Sequence, residues 1–207
     1  MSPKYSIIST CKGRLHNLKR TLPEFLKQEN SEVIVVDYDC PDGTSDYLAR
    51  VHPAARVVSV VDKPKFNTAH ARNLGAAQAR GEFLIFLDAD VVIAEHFVNY
   101  IDSRMKDQSF ALFGPPAQNS LRGSCVVGQK DFNKIGGYDE LMGGYEGEDL
   151  ELYIRLRLIG ASEIMLEPIF VLEVIEQSAE ERLRYRAPDL KMQFLRGQLT
   201  SWPKKWS

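Results

Sequence analysis

The segment that most constrains the fold is EFLIFLDAD, residues 82–90, in which an apolar run ends on two aspartates. Positions 83–87 are all apolar, a pattern typical of a strand that is buried on both faces. A strand of this kind lies inside a sheet whose two faces are covered by helices. The rest of the chain is therefore expected to alternate between strands and helices.

The first 93 residues meet that expectation. Short β-branched runs predict strands, and recurring leucines and alanines predict helices, with Leu74 and Ala77 on the buried face of the third helix. Thr44 or Asp42 is expected to cap the second helix, and Gly81 is expected to end the third. The predicted order is strand 5–10, helix 15–28, strand 32–38, helix 44–51, strand 56–61, helix 67–80 and strand 82–87.

Strands joined through helices pair in parallel with right-handed crossovers, and ligands bind beyond the carboxyl ends of such strands. Thr10, Asp37 and Asp88 stand at those ends. The alternation loosens after Asp90, where we predict helices at 94–106, 148–160 and 179–197, a loop at 114–123, and strands at 109–113, 123–132, 163–167 and 169–175. The predicted fold class is α/β, a mostly parallel central sheet flanked by helices with a small antiparallel part in the C-terminal half.

Composition narrows the function classes. The 207 residues, 44% hydrophobic and 26% charged, can form one domain, and the net charge of -2 gives no electrostatic reason to expect a nucleic-acid partner. Cys11, Cys40 and Cys125 suggest neither a disulfide framework nor a structural zinc site. With no signal peptide and no apolar run long enough to cross a bilayer, we expect a cytoplasmic protein. The tail Trp202–Trp206 can pack on the domain or contact the inner face of a membrane.

Asp88 and Asp90 are the first candidates for chemistry. In an extended chain their side chains project to the same side, where two like charges at the end of a buried strand repel each other. A divalent cation with oxygen ligands, one that also carries a ligand's phosphates, relieves that repulsion. The alternative is that the pair caps the next helix or lies in solvent.

Two sequence blocks carry a resemblance to a known family. ARNLGAAQARGEFLIFLDAD, residues 71–90, resembles the central signature of nucleotide-sugar glycosyltransferases of the GT-A (Rossmann-like) fold, including family 2. IGGYDELMGGYEGEDLELYIRLRLIG, residues 135–160, is similar to the C-terminal segment of galactosyltransferases and polypeptide N-acetylgalactosaminyltransferases. The resemblance implies one domain over 1–207, with a nucleotide-binding half (1–93), an acceptor and catalytic half (94–180), and a C-terminal helix and tail (181–207).

The resemblance also implies roles for individual residues. Asp90 is expected to coordinate Mn²⁺ or Mg²⁺ under the donor diphosphate, with Asp88 reaching the ribose or the metal. Asp37 is expected to read the uracil N–H, although it can instead simply end its strand, and Arg72 can pair with a surface carboxylate instead of the donor. The expected donor-binding residues are Thr10, Arg14, Asp37, Phe66, Asn67, Arg72 and Asp88.

Glu148 and Asp149 open the helix 148–160, where free N–H groups and the helix dipole favour ionised carboxylates. The resemblance implies that Asp149 is the general base, and Asp149 implies inversion because the retaining relatives carry Asn there. Glu148, Gly147 and Tyr145 are expected to contact the acceptor or the donor sugar. Gly143 and Gly144 would let the loop close, whereas Glu146 departs from the galactosyltransferase pattern, which has glycine.

A second departure concerns the metal. Many relatives place a histidine ligand after the penultimate strand, but the last histidine here is His96, so Gln177, Glu176 or Glu173 would have to substitute. The sequence therefore predicts an inverting, metal-dependent glycosyltransferase with a UDP-sugar donor and a hydroxyl acceptor (a glycan, lipid-linked or protein), as in polysaccharide biosynthesis. A nucleotide-sugar-binding domain without catalysis is the alternative. A sugar-phosphate nucleotidyltransferase is disfavoured because STCKGR, residues 9–14, has a single glycine.

Overall fold

The computed structural model describes residues 2–115, 121–142 and 147–186. Within these ranges the strands are β1 (Tyr5–Cys11), β2 (Ser31–Tyr38), β3 (Arg56–Val60), β4 (Phe83–Phe86), β5 (Val91–Ile93), β6 (Ser109–Phe113), β7 (Cys125–Gly128), β8 (Ser162–Leu166) and β9 (Val171–Val174). The α-helices of the same ranges are α1 (Leu15–Leu26), α2 (Thr44–Val51), α3 (Thr68–Ala77), α4 (Phe97–Arg104), α5 (Gln129–Lys134), α6 (Glu148–Leu158) and α7 (Ala179–Leu183).

Seven strands form the central sheet in the order β3-β2-β1-β4-β7-β6-β8. The first four are parallel, β7 runs antiparallel to both β4 and β6, and β8 is parallel to β6. A separate antiparallel pair joins β5 to β9. The predicted α/β class, with a mostly parallel sheet and an antiparallel part formed in the C-terminal half, is confirmed.

Strand β4 lies between two hydrophobic clusters, one on each face of the sheet. Ile85 belongs to the cluster formed with α1, which includes Leu18 and Leu22, whereas Leu84 and Phe86 belong to the cluster formed with α5 and α6. All four residues of β4 are buried. Burial on both faces explains why this strand is apolar at every position, as the sequence predicts.

The third helix departs from its prediction. α3 ends at Ala77 rather than near Arg80, and Ala77 is exposed while Leu74 is only half-buried. The buried face holds Gly75, where a Cβ atom would lie 2.5 Å from Cγ2 of Ile8. The face of α3 that contacts β1 was predicted wrongly, because the prediction relied on hydrophobicity. The residues on this face are small, and their small size lets the helix approach β1.

Gly81 does not end the helix, since α3 has already ended four residues earlier. Its backbone N–H donates to Oγ of Ser6 at 2.9 Å, and a Cβ atom at this position would lie 2.7 Å from the backbone of Tyr5 and Ser6. Glycine is thus required here by the close approach of two backbones.

Two further expectations need correction. Neither Thr44 nor Asp42 caps α2: its N-cap is Gly43, with φ of 70°, and Asp42 accepts the N–H of Leu15 at the start of α1. The predicted strand 123–132 is divided into β7 and α5. A polar run that begins a short helix was mistaken for the continuation of a strand.

Several predictions fall outside the described residues. They are residues 116–120 of the predicted loop, the part of the predicted helix 179–197 beyond residue 186, and the tail Trp202–Trp206. Within the described residues that helix is shorter than predicted, since α7 ends at Leu183. In the part of the chain that the structure describes, no helix combines the length and the apolar character needed to cross a bilayer.

Gly81→Ala is expected to lower the free energy of unfolding by about 1–3 kcal/mol, because the added methyl group meets backbone atoms that cannot turn away. Gly128→Ala is the matched control, since its Cβ atom would meet Asp131 at an ordinary 3.5 Å. Urea denaturation of both variants measures the difference. Equal stability of the two would contradict the steric role of Gly81.

Candidate active site

A cavity of about 1310 Å³ opens at the carboxyl ends of the parallel strands. Residues from both halves of the chain line it, as expected for a sheet of this kind. The predicted site residues found on its wall are Thr10, Arg14, Phe66, Arg72, Asp88, Asp90, Gly147, Glu148, Asp149, Gln177 and the alternative metal ligand Glu176. The fold therefore brings two sequence segments, 88–90 and 147–149, to one cavity.

Asp88 and Asp90 reach this cavity differently from the prediction. β4 ends at Phe86, and the chain turns so that the N–H of Val91 donates to the carbonyl of Asp88 at 3.1 Å. Asp88 accepts from Nη2 of Arg72 at 3.0 Å, while Asp90 accepts from Nε2 of Gln177 at 2.8 Å. The expectation that the two carboxylates share one side of an extended strand was wrong, because the strand has already ended.

The two aspartates still interact electrostatically. Burial and, to a smaller extent, the charge of Asp88 raise the pKa of Asp90 from 3.8 to about 7, against the lowering effects of Arg14 and Arg182. A positive charge beside Asp90 would therefore be stabilising.

The residues around Asp90 fit a hard divalent cation in their chemistry. Carboxylate oxygens from Asp90 and Asp88 and the amide oxygen of Gln177 are the ligand types that Mg²⁺ and Mn²⁺ prefer. Among the described residues no three His, Cys, Asp or Glu side chains form a metal cluster by themselves. Phosphate oxygens of a ligand would have to complete the coordination. Glu173 does not line the cavity and pairs with Arg20 at 2.8 Å instead.

The C-terminal segment 178–186 covers one edge of the cavity. Nη2 of Arg14 donates to the carbonyl of Glu181 at 2.9 Å, and the N–H of Phe66 donates to the carbonyl of Tyr185 at 2.8 Å. Nζ of Lys12 lies 5.5 Å from the centroid of the Tyr185 ring. Tyr185 joins the cavity wall through these contacts, and Arg182 lines the same wall. They were missed because no spacing in the sequence relates residues 182–185 to residues 12–14.

Arg72 lies at the centre of the acidic side of the cavity. Its guanidinium forms ion pairs with Asp88 and Asp149, and Glu148 lies 3.9 Å from its Nη1. The side chain is 4% exposed, so the carboxylates and not water surround the charge. The alternative in which Arg72 pairs with a surface carboxylate is thus wrong about the location of the partner. Arg72 does pair with carboxylates, but they are those of the site.

Asp149, the predicted general base, is buried, with 8% of its surface exposed. Burial, together with the charges of Glu148 and Asp88, raises the pKa of Asp149 to about 7, against the lowering effect of the ion pair with Arg72. Asp149 begins the first turn of α6 together with Glu148, after Gly147 with φ of 127°. A carboxyl group with a pKa near 7 is suited to exchange a proton at neutral pH.

Glu148 is also buried, and among the described residues its Oε2 atom has no hydrogen-bond partner. A buried carboxylate oxygen without a partner is costly unless a ligand supplies a donor. Its position on the cavity wall agrees with the predicted contact to a sugar, which stays a prediction. Tyr145, predicted to contact the acceptor, and Gly143, Gly144 and Glu146 lie outside the described residues.

Two predicted donor-binding residues do not line the cavity. Asp37 accepts from the N–H of Cys40 at 2.9 Å and from the N–H of Ser45 at 2.7 Å, which orders the start of α2. Asn67 caps α3 by accepting the N–H of His70 at 3.0 Å. Both side chains thus stabilise the scaffold, and their predicted contacts with a nucleobase stay predictions.

Comparison with known sequences identifies relatives of limited coverage. The family model for glycosyl transferase family 2 matches residues 6–141. A Bacillus subtilis (strain 168) protein, uncharacterized glycosyltransferase YfnE, is 30% identical over 104 residues, which are 50% of this chain and 26% of that protein. A Drosophila melanogaster protein whose name describes it as an inactive polypeptide N-acetylgalactosaminyltransferase 12 is 27% identical over 135 residues, 60% of this chain and 23% of that protein. The chain spans about a quarter of these relatives' length.

Solved structures share the fold. The mannosyltransferase PcManGT of Pyrobaculum calidifontis, in complex with GDP-Man and Mn²⁺, has a TM-score of 0.72 at 18% identity. The match covers 100% of this chain and 66% of the PcManGT chain. S. aureus TarS 1-349 in complex with UDP-GlcNAc has a TM-score of 0.71 at 17% identity, covering 99% and 68%. At these identities the similarity establishes the fold alone, which is the predicted GT-A fold.

Asp149→Asn is expected to raise the melting temperature of the metal-free protein at pH 8, and to have little effect at pH 4. The folded pKa of about 7 exceeds the unfolded value near 3.9, so the wild-type protein loses stability as pH rises between these values. Asparagine avoids that loss, so the variant is expected to melt at a higher temperature than the wild-type protein at pH 8.

Asp102→Asn is the control, for which a change in stability of the opposite sign is expected. Hydrogen bonds from Lys4 and Tyr5 lower the pKa of Asp102, so its ionised form stabilises the folded state above the unfolded pKa. This variant is expected to lose stability at pH 8 and to recover as pH falls through the folded pKa. Calorimetric melting at pH 8 measures the two effects, and melting below the lowered pKa of Asp102 measures the recovery of the control. The same sign for both variants at pH 8 would contradict the assignment.

Proposed function

The chain belongs to glycosyl transferase family 2, and we propose that it transfers a hexose or N-acetylhexosamine from a UDP-sugar to a hydroxyl acceptor with inversion. The observation that carries the proposal is that Asp149 and the Asp88–Asp90 pair line one cavity. A base and a phosphate-binding group that face one space are what a single displacement at an anomeric carbon requires.

The donor end of the cavity is assigned to the side of Asp90. Arg14 and Arg182 act on the charge of Asp90 and line the same wall, so the region offers cations for a diphosphate. Thr10 at the end of β1 and Phe66 before α3 lie there as well, where a nucleoside can contact them. The neighbours solved with GDP-Man and UDP-GlcNAc support a nucleotide-sugar donor without deciding between the two bases.

Asp90, Asp88 and Gln177 are the residues proposed to hold a divalent cation. When bound, such a cation supplies charge stabilisation for the departing diphosphate. The chain's own part is to orient the diphosphate: Gln177 keeps the carboxylate of Asp90 in place through its 2.8 Å contact, and the arginines of the wall balance the phosphate charge.

Asp149 is proposed as the general base. The acceptor hydroxyl oxygen forms a bond to the anomeric carbon while the bond from that carbon to the diphosphate oxygen breaks. Asp149 takes the hydroxyl proton, and the leaving diphosphate takes the bonding electron pair. Attack from the side opposite the leaving group inverts the configuration at that carbon.

A nucleotide-sugar-binding domain without catalysis is the second candidate function. Gln177 occupies the region where many relatives are expected to carry a histidine ligand, and one relative bears the word inactive in its name. Binding of a nucleotide sugar with no transfer and no donor hydrolysis in the presence of Mn²⁺ would support this candidate over the enzyme.

Asp149→Asn is expected to keep the dissociation constant of the donor within about threefold and to reduce transfer by at least about 10³-fold, because the base is lost while the phosphate-binding wall is intact. Donor binding by calorimetry and transfer by nucleotide release measure the two. Asp131→Asn is the matched control, an acid in the first turn of another helix, α5, outside the cavity. Full turnover by the Asp149 variant would exclude it as the base.

Donor binding is expected to depend on Mn²⁺ through Asp90. Calorimetry with UDP- and GDP-sugars, with the metal and with chelator, should give at least about tenfold tighter binding with metal in the wild-type protein, and this gain should vanish in Asp90→Asn. Glu173→Gln is the control, because Glu173 pairs with Arg20 away from the cavity. A gain that survives in the Asp90 variant would refute this metal site.

A further inference from the structure

Arg72 reaches the acidic side of the cavity from α3, and its contacts are with protein groups. One nitrogen, Nη2, donates to Asp88 at 3.0 Å, and the other, Nη1, donates to Asp149. Only a planar guanidinium can hold two separate carboxylates with two nitrogens of one rigid group. The same side chain thus links the segment that follows β4 to the first turn of α6.

The guanidinium is held from a third direction by an aromatic ring. Its central carbon lies 5.2 Å from the ring centroid of Tyr138, within the range of a cation–π contact. Asn73, the next residue on α3, binds the backbone of Tyr138 twice, as acceptor from its N–H and as donor to its carbonyl, both at 2.9 Å. The Arg-Asn sequence on α3 therefore fixes both the cation and the ring against which it packs.

Gly123 lies against a further side of the Arg72 guanidinium. A Cβ atom there would lie 2.6 Å from Nη2 of Arg72, 3.0 Å from Oδ2 of Asp88 and 3.5 Å from Oδ2 of Asp149. The backbone beside it is held, because the hydroxyl of Tyr153 on α6 donates to the carbonyl of Arg122 at 2.8 Å. Any side chain larger than hydrogen at this position would push the guanidinium away from Asp88.

We propose that Arg72 is a positioning residue that holds the carboxylate of Asp149 toward the cavity. We also propose that the absence of a side chain at Gly123 leaves the space in which the guanidinium can pair with Asp149 and Asp88 together. The inference rests on the proposed function for the role of Asp149. It differs from the expectation that Arg72 contacts the donor, because a positioning residue acts on the rate of transfer and a donor contact acts on binding.

Arg72→Gln and Gly123→Ala test the two parts. Both variants are expected to bind the UDP-sugar with a dissociation constant within about threefold of wild type, with kcat reduced about 10²-fold for Arg72→Gln and about tenfold for Gly123→Ala, since small misplacements of a reacting group have effects of this size. Arg155→Gln and Gly128→Ala are the controls. Arg155 pairs with Glu151 on the same helix as Asp149, and a Cβ atom at Gly128 meets Asp131 at 3.5 Å.

A donor affinity reduced by tenfold or more with kcat unchanged would overturn the proposal in favour of a direct donor contact. A kcat equal to wild type in Gly123→Ala would overturn the role of Gly123. If Arg72→Gln does not fold, Gly123→Ala carries the test, because its change is limited to one methyl group at the cavity wall.

A crystal structure of Gly123→Ala separates this inference from the proposed function. Displacement of Arg72 from Asp88 together with a changed side-chain rotamer of Asp149 supports the positioning role, whether or not the wild-type protein transfers sugar. An unchanged Asp149 rotamer with a displaced Arg72 refutes it. Absence of both transfer and donor hydrolysis in the wild-type protein, in contrast, refutes the proposed enzyme alone.

Discussion

The buried ion cluster around Arg72 is the interaction on which the site depends. The guanidinium is 4% exposed and contacts Asp88, Asp149 and, at 3.9 Å, Glu148. Burying the carboxylates of Asp149 and Glu148 is unfavourable unless a cation with several donors lies beside them. Arg72 supplies that cation from α3, and the two halves of the chain meet at it.

The fold explains how α3 places the guanidinium of Arg72 beside its carboxylates. The helix lies directly on β1 because Gly75 leaves no side chain between them, and Gly81 permits the following segment to pass the backbone of β1. β4 then runs parallel to β1 and ends at Phe86, so that Asp88 turns back toward the helix. Close packing of small residues thus has an electrostatic consequence, since it sets the distance between a cation and its carboxylates.

The two acids with raised pKa values are opposed by different cations. Burial raises the pKa of both Asp90 and Asp149 to about 7, but Arg72 opposes the shift at Asp149 while Arg14 and Arg182 oppose it at Asp90. Carboxylates held near neutrality respond to small changes in their surroundings, such as the arrival of a cation or a phosphate. Stability is reduced at the same place, because a buried carboxylate that must be ionised above pH 7 destabilises the folded state.

The sequence by itself determined the α/β class, the parallel strands β1 to β4 and the two segments that form the site, because hydrophobic periodicity and chain order depend on local residues. It did not determine the turn after Phe86, the role of Gly81, the structural use of Asp37 and Asn67, or the approach of Gly123 and Tyr185 to the cavity. Those features depend on contacts between residues far apart in the chain, and their distances are set by packing. Only the tertiary structure decided that Arg72 joins Asp88 to Asp149, because the sequence around a charged residue on a helix does not indicate which carboxylates it will contact.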